Sequence, residues 1–255
     1  MMRDMITGRN PVFEVFQARR RQIFRLIVAV GVEEKGHLAE VIGAAAKMKI
    51  PVERVPRQRL DNLGEGHQGV AVEVSEYPFS TLPDILHVAH KRQEPIFVLL
   101  LDMLQNPQNL GTLLRSAEVA GIHGIVIPFN RAASVTPAVV HASSGATEHL
   151  LVAQMNLSQA IDTLKAEDVW VVGMEGGPES RPLTEAPLAG PLALVVGNEG
   201  EGMRHLIRQK CDFLGQLPMR GRVDSLNAAV AGSIAIYMAL QARLPKPGSK
   251  KINPF

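Results

Sequence analysis

The sequence predicts an α/β fold in which a parallel sheet is covered by helices on both faces, and three observations carry that prediction. From residue 96 onward, short apolar runs too continuous for a one-faced sheet alternate with helical stretches. Residues 1–76 repeat the alternation on a smaller scale. Between the two lies a stretch rich in proline and charge, as a junction between units should be.

In the first part, residues 23–30 (IFRLIVAV) read as a strand from their β-branched run, and residues 37–49 as a helix from spacing and composition. Residues 51–55 form a short strand, proline opens a helix at residue 56, and residues 69–75 alternate as a strand, giving the order β-α-β-α-β. Residues 77–94 hold Tyr77-Pro78, Leu82-Pro83 and Lys91-Arg92-Gln93-Glu94, and are expected to be a linker with a short helix in it. In the second part the expected strands are 96–101, 124–128, 149–154, 169–174, 192–197 and 213–218. Helices are expected near 109–120, 136–142, 157–166, 203–210 and 226–243. The chain thus divides into a small α/β unit (1–76), a linker (77–94), a larger α/β unit (95–243) and a basic tail (244–255) rich in Pro, Gly and Lys.

With 46% hydrophobic residues, a net charge of +2 and a mean hydropathy of +0.06, the 255 residues have an ordinary globular composition, which excludes disorder for most of the chain. No apolar run approaches the roughly 20 residues of a membrane helix. The N-terminus carries Asp4 and no apolar signal core, and one cysteine cannot close an internal disulfide, so no membrane partner and a cytoplasmic location are expected. Both ends are basic around a mildly acidic middle, a distribution that suits appendages meeting a polyanion. No H-E-x-x-H pattern occurs among the histidines, and the lone Cys211 gives no zinc cluster, so no metal is expected.

Ligands on parallel sheets sit beyond the carboxyl ends of the strands. Three segments at such places carry polar residues that a core would not choose. The first, residues 106–115, holds Asn109 and Arg115; alone, Asn is a good cap and Arg an ordinary surface residue, and six residues of separation need not put them on one face. The second, residues 192–202 (LALVVGNEGEG), is a buried strand entering a glycine-rich loop. Glycines there let backbone N–H groups approach a ligand near a helix start, although a plain tight turn has the same composition. Its pattern is neither G-x-G-x-x-G nor a P-loop, which removes the main support for nicotinamide or ATP. The third, residues 224–231, holds Asp224 or Ser225 as a helix cap and Asn227, a poor helix-interior residue suited to fixing a polar ligand.

Taken together, N-x-x-x-x-x-R, G-N-E-G-x-G and S-L-N-x-x-V-A, in this order, resemble the three signature motifs of the SpoU/TrmH family of RNA 2′-O-ribose methyltransferases, within the SPOUT superfamily. The resemblance spans residues 96–243, is extended by Ala142-Ser143-Ser144-Gly145-Ala146 and by residues 169–173, and departs at Asn106-Pro107, where the family usually has Asp-Pro, a change read as affecting loop geometry. Gly8-Arg9-Asn10-Pro11-Val12 and His67-Gln68-Gly69-Val70-Ala71 are similar to the branch that modifies a guanosine of 23S rRNA. The resemblance implies a knotted catalytic α/β domain, a homodimer, S-adenosylmethionine as cofactor, structured RNA as partner, and a first unit that positions substrate. It implies cofactor contacts at Gly173, Met174, Gly197, Leu217 and Leu226, and a reaction centre of Asn109, Arg115, Glu199, Ser225 and Asn227. Arg115 would stabilise developing charge rather than act as base, because a guanidinium keeps its proton to above about pH 12. Arg9, Arg19, Arg20, Arg21 and Arg25 form the densest basic group, read either as phosphate partners or as a solvated helix face. Rival readings are a transfer-RNA target, a non-catalytic RNA-binding factor, and a small-molecule enzyme using the glycine loop for a nucleotide.

Overall fold

The computed structural model describes residues 3–64, 66–130, 133–198, 200–223 and 225–245. The first unit is a four-stranded sheet of β1 (Arg3–Thr7), β2 (Ile23–Ala29), β3 (Val52–Val55) and β4 (Val70–Ser75), in the order β1-β4-β2-β3. β2 and β3 run parallel, while β4 is antiparallel to both of its neighbours. α1 (Arg9–Ala18), α2 (His37–Lys47) and α3 (Arg57–Asp61) connect them. β1 and α1 are absent from the sequence expectation for a physical reason. The strand RDMIT has only one fully buried residue, Ile6, and the helix begins behind Gly8 without any side-chain cap to announce it.

The second unit runs α4 (Leu82–Arg92), β5 (Phe97–Leu101), α5 (Pro107–Val119), β6 (Gly124–Ile127), α6 (Pro137–Ala142), a 3-10 turn (Ala146–His149), β7 (Val152–Gln154), α7 (Leu157–Ala166), β8 (Trp170–Met174), β9 (Arg181–Pro182), β10 (Leu192–Val196), α8 (His205–Lys210), β11 (Phe213–Gln216) and α9 (Ala228–Arg243). Its sheet has the order β7-β6-β5-β10-β8-β11-β9, and every pair in it is parallel. All five residues of β5 are buried because its two faces feed two cores. Phe97, Leu99 and Leu101 join the α5 and α9 side, while Val98 and Leu100 join the side of α4, α7 and α8. The strand expected over 149–154 is shortened, since the 3-10 turn takes its first residue.

The short helix expected within 77–94 is α4, and it packs into the second unit. Leu82, Ile85, Leu86 and Ala89 of this helix are buried in the core beneath β5, and Ser80 makes a parallel bridge to Ala153 of β7. Thr81 and Asp84 close a capping box at the helix start, so the segment is fixed at both ends. The apolar cores of the two units also run together through α1, Tyr77 and α6.

The chain builds outward from β5 to β7, then crosses and inserts β10 between β5 and β8. Strand order therefore reverses at the β5–β10 pair, and the crevice beyond the carboxyl ends of β5, β10 and β8 is where such a sheet accepts a ligand.

Candidate active site

Asp102 stands immediately after β5 with its side chain fully buried, and that burial requires partners. Its backbone N–H donates to the Val196 carbonyl at 2.8 Å, and its carboxylate accepts the Arg204 backbone N–H at 2.8 Å and the Arg204 Nε at 2.7 Å. Asn198 continues the brace: Nδ2 donates to the Met103 carbonyl at 2.9 Å and Oδ1 accepts the Gly200 N–H at 2.8 Å. Asn198 and Gly202 exchange backbone bonds at 3.0 and 3.1 Å, closing the glycine loop into a turn. A Cβ on Gly197 would lie 2.4 Å from the Gly202 carbonyl carbon, so this close approach admits only glycine. Asp102 and Asn198 were not singled out in the sequence; the signal available for Asp102 is a carboxylate ending an apolar strand.

Asn106 caps α5, its side-chain oxygen accepting from the N–H groups of Gln108 and Asn109 at 2.8 and 3.4 Å. An amide oxygen thus performs the capping that the family's Asp offers here. Asn227 caps α9 in the same way, accepting from Ala229 and Val230 at 2.9 and 3.2 Å. Its Nδ2 then donates to Asn109 Oδ1 at 3.1 Å, joining residues 118 positions apart. Gly232 permits this meeting of helices, because a Cβ there would stand 2.6 Å from Leu113 and 3.1 Å from Val196.

Arg115 lies on a different flank of α5. Its Nη1 donates to Ser144 Oγ at 3.1 Å, and Gly111 lets α5 approach α6 closely, a Cβ there falling 2.5 Å from Ala142. Ser144 has a φ of 55°, and the following Gly145, with a φ of 89°, is pressed against Pro11 and Glu14 of α1. Asn109 and Asn227 are therefore brought together directly, whereas Arg115 reaches toward the α6 turn and the first unit.

Gly173 and Met174 end β8, Gly197 follows β10 and Leu217 follows β11, so these four expected cofactor residues lie at the same ends of neighbouring parallel strands, while Leu226 leads into α9. Gly197 and Leu217 are buried, Met174 is half-buried and Leu226 is exposed. Gly173 owes its small size to packing, since a Cβ would meet Met203 at 2.6 Å and Cys211 at 2.8 Å. Burial pushes the Cys211 thiol up to about 12. Ser225 is exposed beside Leu226, and Glu199 lies outside the described residues. Among the described residues no group of three or more His, Cys, Asp or Glu is placed to hold a metal ion, and no helix is long and apolar enough to cross a membrane.

The five arginines expected as one phosphate-binding group are divided by the fold. The Arg21 guanidinium is enclosed, giving Nε and Nη2 to Glu148 at 3.0 and 2.9 Å and Nη1 to Asp4 at 2.8 Å. Arg20 donates to the carbonyls of Leu150 and, at 3.2 Å, Pro78. These two arginines clamp the first unit to the second, and the enclosed side chain of Arg21 is corrected from its reading as an RNA contact. Arg25 is paired with Glu73 and Glu53 at 2.6 and 2.7 Å, which raises its already high pKa and neutralises its charge locally. Arg9 binds the carbonyls of Glu33 and Gln68 at 3.0 and 3.4 Å, and Arg19 is exposed at the end of α1.

The sequence pattern of the SpoU rRNA Methylase family matches residues 96–237, and that described as RNA 2′-O ribose methyltransferase substrate binding matches residues 5–80. The chain is 40% identical over 244 residues to a Bacillus subtilis (strain 168) protein named as a TrmH family tRNA/rRNA methyltransferase, YacO, covering 95% of this chain and 97% of that one. A Staphylococcus saprophyticus protein named to the same family is 37% identical over 242 residues, with 94% and 96% covered. An AdoMet-bound rRNA methyltransferase from Sinorhizobium meliloti superposes with a TM-score of 0.79 at 25% identity, covering 95% of this chain and 88% of that one. The SpoU methyltransferase AviRb from Streptomyces viridochromogenes, in complex with AdoMet, shares the fold with a TM-score of 0.78 at 23% identity, over 94% and 90% of the two chains.

Proposed function

The chain belongs to the SpoU/TrmH family of RNA methyltransferases, and on that premise we propose that it methylates a ribose 2′-hydroxyl on a guanosine of 23S rRNA, with S-adenosylmethionine as donor. The observation that carries the reading is the 3.1 Å bond from Asn227 to Asn109, because it draws the first and third sequence segments together. The residues at the strand ends fit the cofactor. Gly197 leaves only backbone at the loop, and Met174 and Leu226 offer apolar surface to an adenosine, with Leu217 and Gly173 behind them. When bound, S-adenosylmethionine supplies a methyl group activated by its sulfonium.

The chain's own residues then position and stabilise. Arg115, fixed by Ser144, is suited to stabilise negative charge developing on the ribose oxygen. Asn109 and Asn227 hold each other and orient the nucleotide, Ser225 contributes a hydroxyl next to them, and Glu199 is assigned to the reaction centre by family resemblance. Holding reactants in register supplies several kcal/mol of such a barrier, roughly 7–11 in favourable cases. The first unit serves as the substrate-positioning domain, with Arg9 and Arg19 contributing outside the clamp.

Two further features belong to the proposal. α9 exposes Val230, Ile234 and Tyr237 along one stripe, continued by Leu226 and Val223, and a second copy of the chain covers it in a homodimer. The insertion of β10 between β5 and β8, followed by the return of α9 onto α5, supports a knotted path. A transfer-RNA target is the second reading, since the name of the Bacillus subtilis relative gives tRNA and rRNA side by side. A cytoplasmic location follows from either substrate.

Incubation of the purified protein with labelled S-adenosylmethionine and separate rRNA and tRNA pools, followed by mapping of 2′-O-methyl sites, tests the proposal. Label at a 23S guanosine is expected. Label confined to tRNA moves the substrate, and a folded protein that labels neither pool ends the enzymatic reading.

A further inference from the structure

A cavity of about 280 Å³ opens at the carboxyl ends of β5, β6 and β7, beside the glycine loop and outside the edge assigned to the cofactor. Its wall includes Met103, Phe129, Asn130, Met155, Asn156 and Arg204. Phe129, in the loop after β6, is 67% exposed. A single exposed apolar side chain needs no explanation, but this one stands on a concave site with an arginine. Arg204 is not a loose surface cation: its backbone N–H and Nε are both held by the buried Asp102 carboxylate, while its side chain remains about half exposed at 48%. No acidic side chain lines the cavity among the described residues, and Arg204, paired with Asp102 behind the wall through Nε and Nη2, presents the exposed part of its guanidinium to a phosphate oxygen.

The cavity is also wired to the reaction edge. Met103 holds a left-handed backbone with a φ of 60°, a conformation that costs energy in a non-glycine residue and clusters at functional sites. Its carbonyl receives the Asn198 side chain that closes the glycine loop. One wall is therefore shared between the cavity and that loop. A volume near the lower end of small-molecule sites, roughly 300 Å³, admits one planar ring system and little more. An exposed aromatic face, a positioned guanidinium, side-chain amides and an absence of acid are the features by which proteins receive a splayed base of single-stranded RNA.

We infer that this cavity receives one unstacked nucleobase of the RNA substrate, stacked on Phe129, with Arg204 taking the attached phosphate. The inference rests on the RNA methyltransferase reading above and deepens it, since the captured base sets which nucleotide reaches the neighbouring centre. Asn130 supplies an amide that can discriminate among base edges.

The test compares full-length wild type with Phe129→Ala and Phe129→Trp, using a fluorescein-labelled unstructured RNA of about 12 nucleotides and a fully paired hairpin as probes. Phe129→Ala is expected to weaken binding of the unstructured probe about tenfold, the effect of losing one stacked base, with hairpin affinity and the unfolding midpoint unchanged. Phe129→Trp is expected to retain binding, because stacking needs an aromatic face rather than a phenyl ring. Undiminished binding by Phe129→Ala, or an equal loss on the hairpin, overturns the cavity assignment while leaving the enzyme reading intact. A wild type that binds neither probe overturns both.

Discussion

Replacing Arg21 with Met removes a cation that the fold has sealed between its two units. The side chains of Arg21 and Glu148 are 0% and 1% exposed, and the guanidinium spans both carboxylate oxygens at 2.9–3.0 Å. Methionine restores much of the volume but none of the charge, so the Glu148 carboxylate is left buried with its chief partner gone. Breaking one side of such a pair costs about 3–5 kcal/mol. Asp4, with a side chain 22% exposed, falls back on water and adds little. Against a total stability of roughly 5–15 kcal/mol the change is large. Urea unfolding at neutral pH should therefore show a loss of unfolding free energy of that size, read as a lowered midpoint at unchanged m. The double variant Arg21→Met/Glu148→Gln removes the stranded charge and should recover at least about half of the loss, a coupling that a double-mutant cycle reads directly. The charged-pair argument is refuted if the single change costs under about 1 kcal/mol, or if the double variant loses the sum of both singles.

Four other outcomes follow from the site. Arg115→Ala should bind S-adenosylmethionine with near wild-type affinity and lose methyl transfer by about a hundredfold or more; retained turnover removes Arg115 from the mechanism. Gly197→Ala places a Cβ 2.4 Å from the Gly202 carbonyl carbon, so the loop must open, and calorimetry should show cofactor affinity lost before any large drop in thermal stability. Ile234→Glu puts a charge in the exposed apolar stripe of α9 and should convert a dimer to a monomer in light scattering, with wild-type monomers as the contrary result. Cys211, its thiol pushed up to about 12 by burial, holds almost no thiolate at pH 8.5 and should react with iodoacetamide far more slowly in the native protein than in guanidinium. Because the folded form keeps that proton longer than the unfolded chain, stability should also fall as pH rises from the ordinary thiol range toward 12; equal labelling rates in both states would remove the effect.

The parallel sheet is legible in the sequence because burial on both faces leaves a local mark. β5 and β10 are each five consecutive buried residues, and nothing but a doubly covered strand reads that way. α4 also leaves a mark, with Leu82, Ile85, Leu86 and Ala89 at helical spacing behind a proline, which is how a short helix is expected in a segment whose prolines and charges otherwise read as a junction. The adjacent Arg20 and Arg21 show the opposite failure. Their neighbours in sequence are basic and polar, which implies a solvated or phosphate-binding face, while the partner that buries Arg21 lies 127 positions away. No periodicity reports such a contact. The same is true of the Asn227–Asn109 bond: each asparagine reads locally as a cap, and Asn227 is indeed one, so its second role is visible only once α9 is seen folded back onto α5.

α5 explains why these scattered residues can act together. One flank presents Asn109, and one turn of helix beyond it Leu113, to α9, where Asn227 and Gly232 receive them and where Ser116 meets Ser233 at 2.8 Å. The other flank presents Gly111 and Arg115 to α6 and to the Ser144 turn, which is itself pressed against α1 of the first unit. A rigid helix thus joins the edge proposed for the cofactor to the face proposed for RNA, with its start fixed by Asn106. The Arg21–Glu148 clamp sits four residues beyond Ser144, so it sets the height of the turn that holds Arg115. Loosening the clamp in a variant that still folds should lower kcat while leaving cofactor affinity alone, because only one flank of the helix loses its support.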